Sequence, residues 1–283
     1  MRRPRVPAPL WRDEFAGSSL SLATDGGGGT WRTRGYEAGG SVQQGYRDFA
    51  GSSWNVSPVQ HPDHSPFAVA DSVLTVTARR NPGLTDVDGA DWLSGYLVSN
   101  HLTGLTWRGG YFEWRAAFPD SGRGMFPALW LFNNVPGRSD GKQGAEIDVL
   151  EVLGESAGTP YEAGYHRRPV PGLGTTVGRW DLDTRGWHRY GLEWTPDRLV
   201  WWRDGVALSE VTGSDAAWFG TADLGLRMDY VMDPAFAPEG SPLRSTAVDP
   251  PVGTELRMLV DYVRVWRTRP TGMSTGSADP LLR

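Results

Sequence analysis

From residue 72 onward, apolar and polar residues alternate with a period of two, and this alternation limits what the chain can fold into. In Val73–Ala78 (VLTVTA) every second residue is apolar, with threonines between. Gly110–Phe118 (GYFEWRAAF) repeats the pattern, with Phe112 and Trp114 on one face and Glu113 on the other. Because successive side chains of a strand point to opposite faces, both segments are predicted to be strands with one buried face.

Short strand-like segments follow one another along the rest of the chain. The Asp204-Gly205 dipeptide between two of them is a preferred sequence for a type I′ hairpin. No stretch has the spacing of a long amphipathic helix, and 37 glycines with 21 prolines provide many turns. We therefore predict an all-β fold, a sandwich or jelly roll of antiparallel sheets. The further predicted strands are Ser94–Ser99, Ala128–Phe132, Ala145–Val152, His188–Trp194, Leu199–Arg203, Val206–Glu210 and Leu256–Trp266.

A single domain accounts for the whole pattern, because the chain shows no internal repeat and no second set of elements. At 283 residues it is long enough to bury a large core. We expect the folded domain to span residues 11–267, between a flexible N-terminal segment at 1–10 and a flexible polar tail at 268–283. The basic N-terminus lacks the apolar stretch of a signal peptide.

Charge and composition narrow the class of partner. The net charge is −5 and no long run of lysine or arginine occurs, which argues against a nucleic-acid partner. The longest apolar stretch, Phe126–Phe132, is too short to cross a bilayer. Fourteen tryptophans exceed what a core needs, and their flat faces suit stacking against sugar rings. The composition therefore favours a neutral or weakly charged partner.

The most informative segment is GAEIDVLEVLG, which sets three carboxylates in an otherwise apolar strand. Glu146 and Asp148 are two residues apart and therefore share one face of the sheet. Regular pleating would direct Glu151 to the opposite face. One extra residue at Val149 or Leu150, accommodated as a β-bulge, would turn Glu151 back beside the other two.

Paired carboxylates on one face point to a glycosidase, because retaining glycosidases hold two carboxyl groups roughly 5–5.5 Å apart. Like charges this close cannot all ionise freely. One glutamate is then expected to have a raised pKa and to act as acid and base, while the other stays ionised as nucleophile. Asp148 lies between the two glutamates and can share a proton or hydrogen bond with the nucleophile. A solvated edge strand and a calcium site are the alternative interpretations of these acids.

The segment EIDVLE resembles the glutamate–x–aspartate–x–x–glutamate signature of glycoside hydrolase family 16, in the bulged form of laminarinase-like β-glucanases. Other segments resemble landmarks of that family in the same order: SVLTVTARR, WLSGYLVS, RGGYFEWRAAFP, GMFPALWLF, GWHRYGLEWTPDRLVWWRDG and LVDYVRVW. The resemblance covers residues 11–267. It implies a β-jelly roll with a sugar-binding cleft across its concave sheet.

The resemblance also implies a reaction and its residues. The expected activity is endo-acting, retaining hydrolysis of a β-linked glucan, with β-1,3 or mixed β-1,3/1,4 linkages. By position, Glu146 corresponds to the nucleophile, Asp148 to its helper and Glu151 to the acid/base. The reaction itself is expected to need no cofactor.

Four further residues match positions near the substrate in relatives: Arg115, Phe126, Trp130 and His166. Relatives usually have tryptophan where this chain has Phe126, which keeps a stacking surface but loses an N–H donor. Trp130 can equally be a core residue, and a lone histidine such as His166 is often only a hydrogen-bonded structural residue.

Some relatives bind calcium on the convex side, and Glu14 and Asp261 lie in matching sequence contexts, which implies a structural calcium site. The resemblance implies a polysaccharide partner and no nucleic-acid or membrane partner. We also expect a monomer. An extracellular location is expected from where such substrates occur.

Two other functions are compatible with parts of the sequence. The segment GESAG places Ser156 in a G-x-S-x-G motif, and Asp181 and His188 follow in the order of a serine-hydrolase triad. That motif requires a strand–turn–helix, whereas the residues after it are poor helix formers. The second alternative is a jelly roll that binds glycans without cleaving them, although such proteins usually lose one of the catalytic acids.

Overall fold

A computed structural model describes residues 7–35, 40–47, 53–120, 124–133, 144–153, 161–167, 174–232, 253–271 and 273. Within these ranges the chain forms eighteen strands and one short helix, α1 (Ser214–Phe219). Two 3₁₀ turns lie at Pro62–His64 and His101–Thr103. The strands are β1 (Trp11–Asp13), β2 (Trp31–Arg32), β3 (Tyr46–Arg47), β4 (Ser53–Asn55), β5 (Phe67–Ala70), β6 (Val73–Arg80), β7 (Trp92–Ser94), β8 (Tyr96–Ser99), β9 (Gly110–Ala117), β10 (Met125–Phe132), β11 (Ala145–Val152), β12 (Tyr161–Arg167), β13 (Gly174–Trp180), β14 (His188–Thr195), β15 (Arg198–Arg203), β16 (Val206–Thr212), β17 (Gly225–Met232) and β18 (Glu255–Trp266).

The strands form two sheets. The larger sheet has the order β16-β15-β14-β9-β18-β6-β7-β4-β3, with β1 also paired to β18 and β5 to β6. The smaller sheet has the order β13-β12-β11-β10-β17-β8-β2. Among the strand pairs of the described residues only β4 and β7 run parallel. The predicted all-β jelly-roll sandwich of two antiparallel sheets is therefore confirmed.

The core lies between the sheets and follows the period-two pattern. Leu74 and Val76 on β6, with Phe112 and Trp114 on β9, come from the larger sheet and are fully buried. Ile147 on β11 of the smaller sheet packs in the same cluster. Because each strand buries every second side chain, the remaining side chains occupy the two outer faces of the sandwich. The outer face of the smaller sheet carries the candidate site.

The chain passes from the larger to the smaller sheet at Gly95, between β7 and β8. A Cβ atom at this position would lie 2.7 Å from the Phe67 ring. Only glycine fits between the ring and the turning backbone. This close approach allows two consecutive short strands to belong to different sheets.

The predicted hairpin is confirmed, since Asp204 and Gly205 have φ angles of 49° and 82° between β15 and β16. Three long strands were not predicted: β12, β13 and β17. In β13 (GTTVGRW) most side chains are exposed, so the strand has no apolar periodicity to detect. The backbone of such a strand is held by its neighbour β12 rather than by its own buried face.

Parts of the expected flexible ends are packed against the domain. The indole nitrogen of Trp266 donates a 3.0 Å hydrogen bond to the carbonyl oxygen of Pro7, and the Leu10 N–H bonds to β18. In the expected tail, the Arg269 guanidinium lies 3.7 Å from the centre of the Trp202 ring. These contacts pack Pro7, Leu10 and Arg269 against the domain. The domain boundaries at residues 11 and 267, with flexible segments at 1–10 and 268–283, stay a prediction. Residues 1–6 and 274–283 lie outside the described ranges.

Across the described part of the chain, α1 is far shorter than a bilayer-spanning helix, and no helix there meets the length and apolarity that crossing a membrane requires.

We expect Gly110→Ala to destabilise the domain more than Gly83→Ala. Both glycines have positive φ, 135° and 124°, where an L side chain is strained by about 1–3 kcal/mol. Only at Gly110 would a Cβ also meet backbone, 2.5 Å from the Trp266 carbonyl oxygen. That overlap adds about 1–3 kcal/mol. Urea denaturation of both variants tests this, and equal losses would contradict it.

Candidate active site

An inner strand of the smaller sheet, β11, lies between β12 and β10 and carries the candidate site. Ile147 and Leu150 are fully buried in the core, whereas Glu146 and Asp148 point to the outer face. Both carboxylate residues are nevertheless well covered, at 9 % and 2 % exposure. Two neighbouring acids on a covered outer face reduce the stability of the fold, because burial disfavours charge. Their presence there therefore indicates a functional role.

A β-bulge in β11 separates Glu151 from the regular alternation. In the register with β10, Leu150 and Asp148 pair with consecutive residues, so Val149 is the extra residue. The register with β12 shifts at the same place, between Asp148 and Glu151. The predicted bulge is therefore confirmed, at the first of the two positions considered.

The bulge places Glu151 on the same face as the other two acids. The partners of Asp148 and Glu151 on β10 are Trp130 and Ala128, which are two residues apart and share the outer face. We call Glu146, Asp148 and Glu151 the three-carboxylate site. Burial raises the pKa of Glu151 well above its usual value, and the negative charges of Asp148 and then Glu146 raise it further. These effects favour the protonated form of Glu151.

His166 on β12 lies beside this site. It pairs with Glu146 across the β11–β12 ladder. Its Nε2 atom is 3.6 Å from Oε1 of Glu146 and 3.4 Å from Oδ2 of Asp148. The imidazole lies over Gly174 on β13, where a Cβ would be 2.4 Å from its Nδ1 atom. The predicted proximity of His166 to the acids is confirmed, and the glycine leaves room for its ring.

An aromatic cluster adjoins the acids on the same outer face. Trp130 packs with Tyr46, Tyr96 and Phe132, and its Nε1 donates a 2.5 Å hydrogen bond to Oδ1 of Asp229. Trp130 is buried in this outer cluster and is not part of the core between the sheets.

Phe126 alternates with Ala128 and Trp130 along β10 and therefore points to the same face. It is 6 % exposed. The structure thus brings two of the predicted substrate-contact residues, Phe126 and Trp130, to the side of the sheet that carries the acids. Their contact with substrate stays a prediction.

Arg115 is not at this site. It lies on β9 of the larger sheet, and its side chain points to the outer face of that sheet. There it donates a 2.7 Å hydrogen bond to Asp261 and stacks 4.8 Å from the centre of the Trp187 ring. The prediction that Arg115 contacts substrate beside the three-carboxylate site is therefore wrong, because the two sheets and the core separate them.

The predicted calcium ligands are engaged by arginines. Both carboxylate oxygens of Glu14 accept 2.7 Å hydrogen bonds from Arg264, and Asp261 accepts from Arg115. Glu14, Asp261 and Arg115 line one cavity on the outer face of the larger sheet. Calcium requires six to eight oxygen ligands, and a guanidinium cation among them opposes its binding. These residues do not fit a calcium site, and the expectation is corrected.

The serine-hydrolase arrangement is not formed by the residues that the structure describes. His188 Nδ1 lies 2.7 Å from Oδ2 of Asp204, rather than beside Asp181. His188 belongs to β14 of the larger sheet. Ser156 lies outside the described residues.

Three charged residues of the site face were not identified from sequence. Glu162 on β12 lies opposite Glu151 and helps to raise its pKa. Arg227 and Asp229 on β17 contact the aromatic cluster through Trp130. The Arg227 guanidinium lies 5.2 Å from the centre of the Trp130 ring, and Asp229 accepts the hydrogen bond from its indole nitrogen. The alternation of Arg227 and Asp229 with apolar residues in LGLRMDY was the available signal.

An all-β sandwich with clustered carboxylates beside aromatic rings has the site composition of a glycosidase. The profile of Glycosyl hydrolases family 16 matches residues 74–225, more than half of the chain. The chain belongs to this family.

Individual relatives agree with that assignment. An endo-1,3-1,4-beta-glycanase of Rhizobium meliloti (strain 1021) is 33 % identical over 217 residues, covering 74 % of this chain and 44 % of the relative. A beta-glucanase of Rhodothermus marinus is 28 % identical over 240 residues and covers 78 % of each chain. The chain spans less than half the length of the Rhizobium meliloti relatives it matches, 44 % and 34 %.

Solved structures share the fold. The catalytic domain of an endo-1,3-beta-glucanase (laminarinase) from Thermotoga petrophila RKU-1 superposes with a TM-score of 0.69 at 19 % identity, over 92 % of this chain and 97 % of that one. The laminarinase from Rhodothermus marinus gives a TM-score of 0.65 at 22 % identity, over 94 % and 99 %.

Glu151→Gln is expected to stabilise the folded protein at neutral pH. The pKa of Glu151 is raised on folding, so its contribution to stability is fully present below the unfolded pKa and is lost as pH rises through the folded pKa. A glutamine side chain does not ionise, so the variant keeps its stability as pH rises. Thermal midpoints of the two proteins should agree near pH 4, about the unfolded pKa, and separate as pH rises.

The matched control is Glu210→Gln, at an exposed position on β16. This substitution lies on the larger sheet and should change stability by no more than about 0.5 kcal/mol, as is usual at the surface. A Glu151→Gln protein that is less stable than the wild type across the whole pH range would contradict the assignment of a raised pKa.

Proposed function

We propose that this protein is a retaining endo-glycoside hydrolase that cleaves internal bonds of a β-linked glucan. The observation that carries the proposal is the bulge at Val149, which brings Glu151 to the same face as Glu146 and Asp148. Two carboxylates that differ in proton affinity are what double displacement requires. The relatives named as an endo-1,3-1,4-beta-glycanase and a beta-glucanase support cleavage of a β-linked glycan.

In the first step Glu146 attacks the anomeric carbon while Glu151 donates its proton to the leaving glycosidic oxygen. The bond from Glu146 to the sugar forms as the glycosidic bond breaks, which leaves a glycosyl-enzyme and an ionised Glu151. In the second step Glu151 takes a proton from water, and the resulting hydroxide displaces Glu146 from the sugar. Two inversions at one carbon give net retention.

The raised pKa of Glu151 fits this cycle. Burial and the charges of Asp148 and Glu146 keep the proton on Glu151 before the first step. Once Glu146 becomes an ester, one of those negative charges disappears, so the pKa of Glu151 falls and a proton donor becomes a base. Asp148 and His166, which lie beside Glu146, are proposed to orient the nucleophile by hydrogen bonding.

Substrate binding is proposed for the outer face of the smaller sheet. Phe126 and Trp130 flank the acids along β10, and Phe132 extends the aromatic surface. Such surfaces stack on the apolar faces of sugar rings. Names of the relatives favour β-1,3 or mixed β-1,3/1,4 linkages. We propose that the chain acts as a monomer on extracellular polysaccharide, and the carboxylate chemistry itself requires no cofactor.

Glu146→Ala and Glu151→Ala are each expected to lower kcat by at least about 1,000-fold while the fold is retained. With an activated aryl glycoside, azide should restore turnover in both variants with opposite stereochemistry. Azide attacks the sugar directly when Glu146 is missing and gives the α-azide. It attacks the glycosyl-enzyme when Glu151 is missing and gives the β-azide. NMR of the products distinguishes them.

The control for this experiment is Glu193→Ala, which removes a carboxylate from β14 of the larger sheet. It should keep the wild-type kcat. Near-wild-type activity in either the Glu146 or the Glu151 variant would refute the assignment of that residue, and identical azide products would refute the division of roles.

A polysaccharide panel tests the substrate. We expect β-1,3-glucan or mixed-linkage β-glucan to lose viscosity before reducing ends accumulate, because an endo-acting enzyme cuts internal bonds. Ser156→Ala should leave this cleavage unchanged and would abolish turnover only in a serine esterase. Saturable glucan binding without any cleavage would instead identify a glycan-binding jelly roll.

A further inference from the structure

The bulge of β11 is bonded from the opposite sheet. Trp201 on β15 is 2 % exposed and packs in the core between the sheets. Its indole Nε1 donates a 2.8 Å hydrogen bond to the main-chain carbonyl oxygen of Asp148. That carbonyl immediately precedes Val149, the extra residue. Carbonyls of a regular ladder point along the sheet to a neighbouring strand, whereas this one is bonded across the core.

A second bond of the same kind lies beside the first. Ser209 on β16 is the cross-strand partner of Trp201. Its hydroxyl donates a 3.1 Å hydrogen bond to the carbonyl oxygen of Val177 on β13. Val177 is itself an extra residue, because Gly178 and Thr176 pair with consecutive residues of β12. One residue pair of the larger sheet therefore bonds to two irregular strands of the smaller sheet.

We propose that Trp201 is a positioning residue for the three-carboxylate site, and that Ser209 holds the flanking strand in the same way. The peptide that follows Asp148 connects the two outward-facing acids of β11 to Glu151. A buried carbonyl that loses a donor is penalised unless the backbone turns to find another. Turning that peptide would change the direction of Asp148 and Glu151 relative to Glu146.

The hydrogen bond distinguishes Trp201 from other buried tryptophans of the larger sheet. Trp194 on β14 and Trp114 on β9 are equally buried, at 1 % and 0 % exposure. Among the described residues, neither indole nitrogen has a hydrogen-bond partner. Packing alone therefore does not require an indole N–H at these positions, and Trp194 provides a matched control.

The test compares Trp201→Phe with Trp194→Phe in the full chain. Both changes shorten a buried ring system and remove an indole N–H, but only the first removes a bond to the bulge. The kinetic effect rests on the proposed function: Trp201→Phe should lower kcat about 10-fold and change KM by less than about 2-fold, as expected when orientation rather than binding is lost. Trp194→Phe should leave kcat unchanged at a comparable thermal midpoint.

A second readout does not depend on hydrolysis. The pKa of Glu151, followed by ¹³C NMR titration and assigned with Glu151→Gln, should differ from the wild-type value in Trp201→Phe, because turning the peptide changes the burial of Glu151 and its position relative to Asp148 and Glu146. It should stay at the wild-type value in Trp194→Phe. If the wild type cleaves no glucan, the proposed function fails, and this titration still decides whether Trp201 positions the site.

Two results would overturn the proposal. One is a Trp201→Phe protein whose kcat and Glu151 pKa both equal those of the wild type. The other is a Trp194→Phe protein that shows the same changes, which would assign them to packing. Where Trp201→Phe does not fold, Trp201→Tyr, which keeps a larger aromatic side chain without the indole N–H, takes its place with the same expected results. Ser209→Ala tests the second bond separately by removing only a hydroxyl. A smaller loss of kcat is expected, and unchanged kcat and Glu151 pKa would overturn the role proposed for Ser209.

Discussion

The grouping of the three carboxylates on one face depends on one extra residue in one strand. Val149 interrupts the alternation of β11, so that Glu151 lies on the same face as Asp148 although three positions separate them. Without the bulge, an odd spacing would send the third carboxylate into the core. The same irregularity also keeps Leu150 buried, as its full burial shows. The bulge therefore places Leu150 in the core and Glu151 on the outer face at the same time.

The acidic residues on the two outer faces of the sandwich have different charged neighbours. On the larger sheet, Glu14 and Asp261 each accept hydrogen bonds from an arginine, which neutralises their charge. On the smaller sheet, Glu151 feels the charges of two other carboxylates. Like charges in a covered site reduce stability, and the raised proton affinity that results is what an acid catalyst needs near neutral pH. The same arrangement of charges that lowers the stability of the fold raises the proton affinity of Glu151.

The sequence predicted those features of the fold and of the site that depend on the residue pattern within a single strand. The alternation in β6, β9 and β11 is a property of each strand alone, and the odd spacing of Glu151 already required a bulge for it to share a face with Asp148. Arg115 was misplaced because its assignment rested on a matching position in relatives. Alternation could not correct that assignment, since it shows which residues share a face but not to which sheet of the sandwich the face belongs. The arginine partners of the predicted calcium ligands come from distant strands, so no local pattern revealed them.

Hydrogen bonds between the sheets are equally invisible to periodicity, and they change how the larger sheet is understood. Alternation identifies Trp201 only as a core residue, and its burial agrees. Its indole N–H nevertheless reaches the one carbonyl that precedes the bulge. A bulge disrupts the ladder hydrogen bonds of its strand, so hydrogen bonds from outside the sheet contribute more to the path of the backbone there. The sheet that bears none of the three carboxylates thereby bonds directly to the irregular part of the strand that bears them.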